Sequence, residues 1–167
     1  MKSALISAFP GTGKTFLYNN SNLKILDSDS SKFNKNEFPN NYINHIKNNM
    51  HKVDCILISS HKNVREALFA NKLPFILVYP DISLKNEYIE RYRNRGSSDE
   101  FIILLEKNWN TWINELIYQK HCTHCVLKNK EYLSNILYDI IECNNCDNYH
   151  IQCCVDCQVY KREQKKK

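Results

Sequence analysis

The stretch Ala8-Phe-Pro-Gly-Thr-Gly-Lys-Thr15 places two glycines directly before a lysine and a threonine. Glycines at 11 and 13 let successive backbone N–H groups turn toward one point, an ammonium at 14 neutralises phosphate, and a hydroxyl at 15 suits Mg2+. The chemistry implied is the binding of a nucleoside triphosphate, with Pro10, Gly11, Thr12, Gly13, Lys14, Thr15 and Phe16 around its phosphates. The spacing is that of the pattern G-x-x-x-x-G-K-[ST], but its first position is Ala8. That position helps a strand turn tightly, whereas Gly13, Lys14 and Thr15 carry the phosphate and metal chemistry, so the mechanism survives the departure.

Three further groups could do chemistry. Asp27-Ser-Asp29 offers two carboxylates at i and i+2, which on an extended segment point the same way and could address a metal and a substrate hydroxyl together. The competing reading is an Asp/Ser cap ahead of Lys32-Phe33. Ser59-Ser60-His61 follows an apolar run and suits either a substrate wall or the cap of the next helix. Arg91, Arg93 and Arg95 crowd a helix end before Gly96-Ser97-Ser98. Guanidinium groups beside such a turn fit a lid over transferring phosphates, since they stabilise charge spread in that transition state; the alternative is a solvated basic helix end favoured by the helix dipole.

Cysteine is concentrated late: after Cys55 the other seven lie between Cys122 and Cys157. Cys122-x-x-Cys125 and Cys143-x-x-Cys146 have the spacing of a four-thiolate zinc site, with Cys153, Cys154 and Cys157 as a second source of ligands near His150. Against the first pair, Cys125 falls in a strand pattern, where it is more naturally a small buried hydrophobe. A structural Zn2+ would then use tail residues, Cys143, Cys146, Cys154 and Cys157.

These groups need elements to hold them. Apolar runs at 3–9, 23–26, 53–58, 75–79 and 125–127 read as strands. Between them lie a short helix after the loop and helical spacings at Tyr42, Ile43, Ile46 and Met50, at 63–71, at 83–95 and at 99–119, with a last one through Tyr132, Leu133, Ile136, Leu137 and Ile140. Along 99–119 the expected core stripe is Phe101, Leu104, Leu105, Trp109, Trp112, Ile113, Leu116 and Ile117. Continuous apolar strands alternating with helices predict a parallel sheet covered on both faces, with ligand groups at the strand C-terminal ends.

The 167 residues are expected to form one domain over 1–142 and a Cys-rich, Lys-rich tail over 143–167. Of the net charge of +5, much resides in Lys161, Arg162, Lys165, Lys166 and Lys167, so the balance over the core gives little sign of a nucleic-acid groove. No apolar run approaches a membrane span, and the N-terminal one leads straight into the glycine loop, so a cytoplasmic protein with no membrane partner is expected. Disulfides fit that compartment poorly.

On the glycine loop, on Leu26-Asp-Ser-Asp-Ser-Ser-Lys-Phe33, on Ile58-Ser-Ser-His61 and on Arg91-Tyr-Arg-Asn-Arg-Gly96, the first 142 residues resemble small P-loop kinases. The group is the nucleoside and nucleotide kinase-like one, which includes shikimate- and gluconate-type enzymes, and the last two motifs look like features of small kinase-like proteins common in phage genomes. The resemblance implies a three-layer α/β/α fold with a five-stranded parallel sheet of order 2-3-1-4-5 and a lid around residues 91–100. It implies ATP and Mg2+, with Thr15 on the metal, Lys14, Asp27, Asp29, Arg91 and Arg95 in catalysis, and Asp29, Ser59, Ser60 and His61 toward the acceptor. A nucleotide or nucleoside-like small molecule is the expected acceptor; a hydroxymethylated pyrimidine within DNA, or a nucleotide-dependent regulator with no acceptor, are the alternatives. The third strand ends without the acidic residue that many P-loop proteins place there, and the cysteine tail lies outside the resemblance.

Overall fold

The computed structural model describes residues 3–144, with side chains described to residue 141. Five strands, β1 (Ala4–Ala8), β2 (Ile25–Asp27), β3 (Cys55–Ser59), β4 (Ile76–Pro80) and β5 (Thr123–Leu127), form one sheet in the order β2-β3-β1-β4-β5. Every pairing is parallel. The expected strand content and order are both found. The connecting helices are α1 (Lys14–Asn20), α2 (Asn40–Asn49), α3 (Lys62–Ala70), α4 (Lys85–Asn94), α5 (Asp99–Ile117) and α6 (Leu133–Asn144).

Alternation along the strands divides the interior into two layers. Leu5, Ile56, Ile58, Leu77 and Tyr79 face α2, α3, α4 and α5, through Tyr42, Val64, Tyr88 and the fully buried Trp109 among others. Ala4, Ile6, Leu57, Val78 and Leu127 face the opposite way and are covered by Leu17 of α1 and Leu133, Ile136, Leu137 and Ile140 of α6. Since side chains alternate with a period of two, a strand can be apolar throughout only when both faces are covered, and these are.

The crossover from β1 to β2 runs over one face, while that from β3 to β4 runs over the other and in the opposite direction. Neighbouring β1 and β3 therefore send their chains apart, and a crevice opens beyond their C-terminal ends. The glycine loop and Ser59–His61 both emerge there.

On α5 the buried set is Ile102, Leu105, Trp109, Ile113 and Leu116, which keeps strict i+3/i+4 steps. Leu104 and Ile117, expected in that stripe, are exposed, because each sits one residue, or about 100° of helix, beyond its edge. Cys122 and Cys125 are both buried, but Cys122 packs with the α2–α5 layer and Cys125 with the α1/α6 layer. Three residues apart along an extended segment, they point to opposite faces and do not form a ligand pair. Cys143 falls in the last turn of α6, and Cys146, Cys154 and Cys157 lie outside the described residues, as does the rest of the expected tail. Among the described residues no cluster of three metal-ligating side chains occurs, and no helix is long and apolar enough to cross a membrane.

Candidate phosphate-binding and acceptor site

The loop after β1 is built from its two left-handed glycines, Gly11 at φ 81° and Gly13 at φ 94°. A Cβ on Gly11 would lie 3.3 Å from the Tyr88 ring and from the Tyr92 hydroxyl, and one on Gly13 would lie 3.3 Å from the Tyr132 ring. Space and conformation both require glycine there. Thr12 turns inward, its hydroxyl donating to Phe9 O at 2.8 Å, and is fully buried. Two loop carbonyls are fastened from outside: Arg91 donates to Gly11 O at 3.2 Å, and the Leu133 N–H donates to Thr12 O at 2.9 Å.

A cavity of about 880 Å³ opens over this loop. Pro10, Gly11, Gly13, Lys14, Thr15 and Phe16 line its floor, Asp27 and Asp29 one side, and Ser59, Ser60 and His61 the next. Arg91 and Arg95 line it from the end of α4. Every residue singled out for catalysis, acceptor binding or the triphosphate, Thr12 excepted, thus borders one space.

Lys14 donates to Ala8 O at 2.5 Å and Phe9 O at 3.2 Å. Burial pulls its pKa down to about 8; Asp27 opposes that fall and Arg95 adds to it. The lysine is still mainly protonated at neutral pH. Asp27, the last residue of β2, is half-buried, and desolvation raises its pKa while Lys14 holds it back. The two groups share one electrostatic environment.

Asp29 behaves differently. It is exposed and caps a 3-10 turn at Ser30–Lys32, its Oδ1 accepting from Ser31 N at 2.9 Å, and that backbone hydrogen bond lowers its pKa. The capping alternative therefore describes Asp29, while Asp27 keeps its carboxylate turned to Lys14. Ser59–His61 likewise serve twice: they line the cavity, and His61 is the N-cap residue of α3. Partial burial, then Lys35, Arg65 and Lys14, lower the His61 pKa, so the ring is neutral at pH 7.

The ends of β2 and β3 are tied together by Tyr42 of α2. Its hydroxyl donates to Ser28 O at 2.6 Å and accepts from Ser59 N at 3.1 Å.

Arg91 and Arg95 are held differently. Arg91 is ion-paired to Glu87, donates to Gly11 O and to Glu131 O, and lies between the Tyr88 and Tyr132 rings at 4.6 and 3.9 Å. Arg95 is exposed and lies over the Tyr92 ring, at 4.7 Å. The expected lid at 91–100 is the end of α4, a turn at Gly96 and the start of α5, with Tyr92 buried against Phe101; of this stretch Arg91, Tyr92, Asn94 and Arg95 border the cavity. Arg93 does not border the cavity.

Sequence reading overlooked Arg65, Tyr92, Trp112, Glu115 and Tyr132, all of which line the same space. Arg65 is 2% exposed and is bonded to Ser60 O, to Gln119 at 2.8 Å and to Glu115. Its signal was available: it falls beside Val64 and Leu68 on the buried face of α3, where a charge needs partners. Among the described residues, Tyr92 Oη, Tyr88 Oη, Arg91 Nε and Ser28 Oγ are buried without a hydrogen-bond partner, a costly arrangement that a ligand or solvent would relieve.

No protein-family model matches this chain, and no curated protein is similar to it.

Proposed function

We propose that the chain is an ATP-dependent phosphotransferase whose acceptor is a nucleotide or nucleoside-like small molecule. The observation that carries the reading is the meeting, in one cavity, of a Gly-x-Gly-Lys-Thr loop with a carboxylate facing its lysine and two arginines above it. A binding switch needs the loop alone. The remaining cavity beyond the loop has room for a second substrate.

The residues fit a metal-bound triphosphate. The unpartnered Tyr92 Oη borders Gly11, Arg91 carries a second unpartnered donor at Nε, and the glycine backbone leaves a cradle that a side chain would fill. Mg2+, which the Thr15 hydroxyl would hold, would neutralise charge on the phosphates. Lys14 and the loop amides orient those phosphates. In transfer, an acceptor oxygen forms a bond to the γ-phosphorus as the bond from that phosphorus to the β-γ bridging oxygen breaks. Asp27 takes the proton of the attacking hydroxyl, and Lys14 holds the charge left on the diphosphate. Arg91 supplies a positive charge already in place, and Arg95 a second, exposed one.

Labelled ATP incubated with nucleosides, nucleoside monophosphates and hydroxymethylated DNA tests the reading. The γ-phosphate is expected on a small molecule, and Lys14→Ala should abolish transfer in a protein that keeps its circular dichroism spectrum. Undiminished turnover in Lys14→Ala would sink the assignment.

A further inference from the structure

The cavity has two chemically different ends. Around the loop it is lined by Lys14, Asp27 and the arginines; where α5 meets α3, its lining includes Trp112 and Leu116, with Phe101 and Leu105 earlier on α5. The one acidic group at this far end is Glu115, whose side chain is 41% exposed. Arg65 stands beside it but is fully engaged: Nε donates to Gln119, one terminal nitrogen to Ser60 O and the other to Glu115 Oε1. What this part of the cavity presents to a ligand is therefore the apolar side chains of α5 and an oriented carboxylate, with His61 and Lys62 at the start of α3 and a buried cation satisfied by the chain itself.

That combination selects a ligand class. A polyol carries hydroxyls on most of its carbons and would leave them unpaired against Phe101, Leu105 and Leu116. A planar heteroaromatic ring stacks on such walls, and a carboxylate accepts from N–H donors on the ring edge. A ring edge made of carbonyls flanking one N–H would bring oxygen lone pairs toward Glu115. An exocyclic amino group brings two donors.

Resting on the phosphotransfer reading, we infer that the far end is a nucleobase subsite. Trp112 lies against the ring face, and Glu115, held by Arg65, accepts an amino group. The acceptor is then a nucleoside or nucleotide of cytosine, adenine or guanine rather than of uracil or thymine. Arg65 is a positioning residue in this arrangement, acting through Glu115.

The test is calorimetric titration of the full chain, saturated with a non-hydrolysable ATP analogue and Mg2+ so that the triphosphate end is closed. Cytidine, adenosine, guanosine, uridine, thymidine and, as a polyol, gluconate are titrated in turn, with CMP and UMP as the phosphorylated pair. Amino-bearing bases are expected to bind about tenfold or more tightly than uridine or thymidine, with gluconate weaker still. Glu115→Gln should reduce that preference to below about threefold. Trp112→Ala should weaken every nucleoside about tenfold while leaving affinity for the ATP analogue unchanged, and Trp112→Phe should restore most of it. Binding of the analogue together with equal affinity for cytidine and uridine, or an undiminished preference in Glu115→Gln, overturns the base subsite and leaves phosphotransfer standing. Failure of the analogue to bind overturns the phosphotransfer reading and this inference together.

Discussion

Replacing Lys14 by methionine should make the protein more stable at neutral pH and unable to hold a triphosphate. The lysine is carried in the fold with its pKa drawn down from 10.5 to about 8, chiefly by burial. At about 1.36 kcal/mol for each tenfold change, that difference corresponds to about 3 kcal/mol against the charged form below pH 8. Methionine has similar length and removes the charge, but it leaves Ala8 O and Phe9 O without their donor, at about 1 kcal/mol each. A net gain of about 1–3 kcal/mol is expected at pH 7, or a rise of roughly 3–9 °C in Tm for a domain of this size. The sign follows from linkage. Between pH 8 and 10.5 the unfolded chain holds a proton that the folded chain has released, so wild-type stability rises with pH through that window and the variant's does not. The advantage of Lys14→Met should therefore shrink above pH 8 and vanish or reverse near pH 10. Saturating MgATP should stabilise the wild type by about 2.7 kcal/mol at a hundred times Kd and leave the variant unmoved. Urea unfolding at pH 7, 8.5 and 10, with and without MgATP, measures all of this. A variant less stable than wild type at pH 7, or a difference that does not change with pH, would refute the reasoning.

Asp27→Asn should leave stability unchanged or slightly raised, because burial disfavours the ionised carboxyl, while turnover in a labelled-ATP assay falls about 100-fold or more. In the wild type, that same raised pKa places the acid limb of the rate profile above the usual aspartate range, with activity lost as pH falls through it; a limb at the usual position would remove Asp27 from proton transfer. Tyr42→Phe should cost about 1–3 kcal/mol in urea unfolding, since Ser28 O and Ser59 N both lose their partner. Gly11→Ala should cost about 1–3 kcal/mol for its left-handed backbone and weaken MgATP binding, measured by titration, as the added methyl meets Tyr88 and Tyr92. Arg65→Met should destabilise by about 2–4 kcal/mol in thermal or urea unfolding, and Glu115→Gln, which leaves the buried Arg65 charge with an amide oxygen in place of its counter-ion, should cost about 1–3 kcal/mol.

The strands were legible because β1, β3 and β4 are apolar on both faces, a pattern that few other arrangements satisfy. The cavity floor was legible for a related reason: glycine, lysine and threonine at fixed spacing have one efficient use. Asp29 was harder, since a carboxylate before Ser30-Ser31 caps a turn by chemistry that looks the same in sequence as metal binding. The far wall stayed hidden because it is assembled from α3 and α5, far apart in sequence, and a helix stripe does not announce which neighbour it meets. Leu104 shows the same limit from the other side, its hydrophobicity being visible and its azimuth on α5 being set by packing.

The two fastened carbonyls of the glycine loop have an effect on the side they do not touch. In a trans peptide the C=O and the N–H point in opposite directions. With Gly11 O anchored on Arg91 and Thr12 O anchored on the Leu133 amide, the N–H groups of Thr12 and Gly13 are turned to the other side of their peptide planes. The loop is thus steered by α4 and α6 through two hydrogen bonds to its carbonyls. Release of either anchor would permit a peptide flip that presents an oxygen in place of a hydrogen, turning an anion-attracting surface into an anion-repelling one with the lysine unchanged.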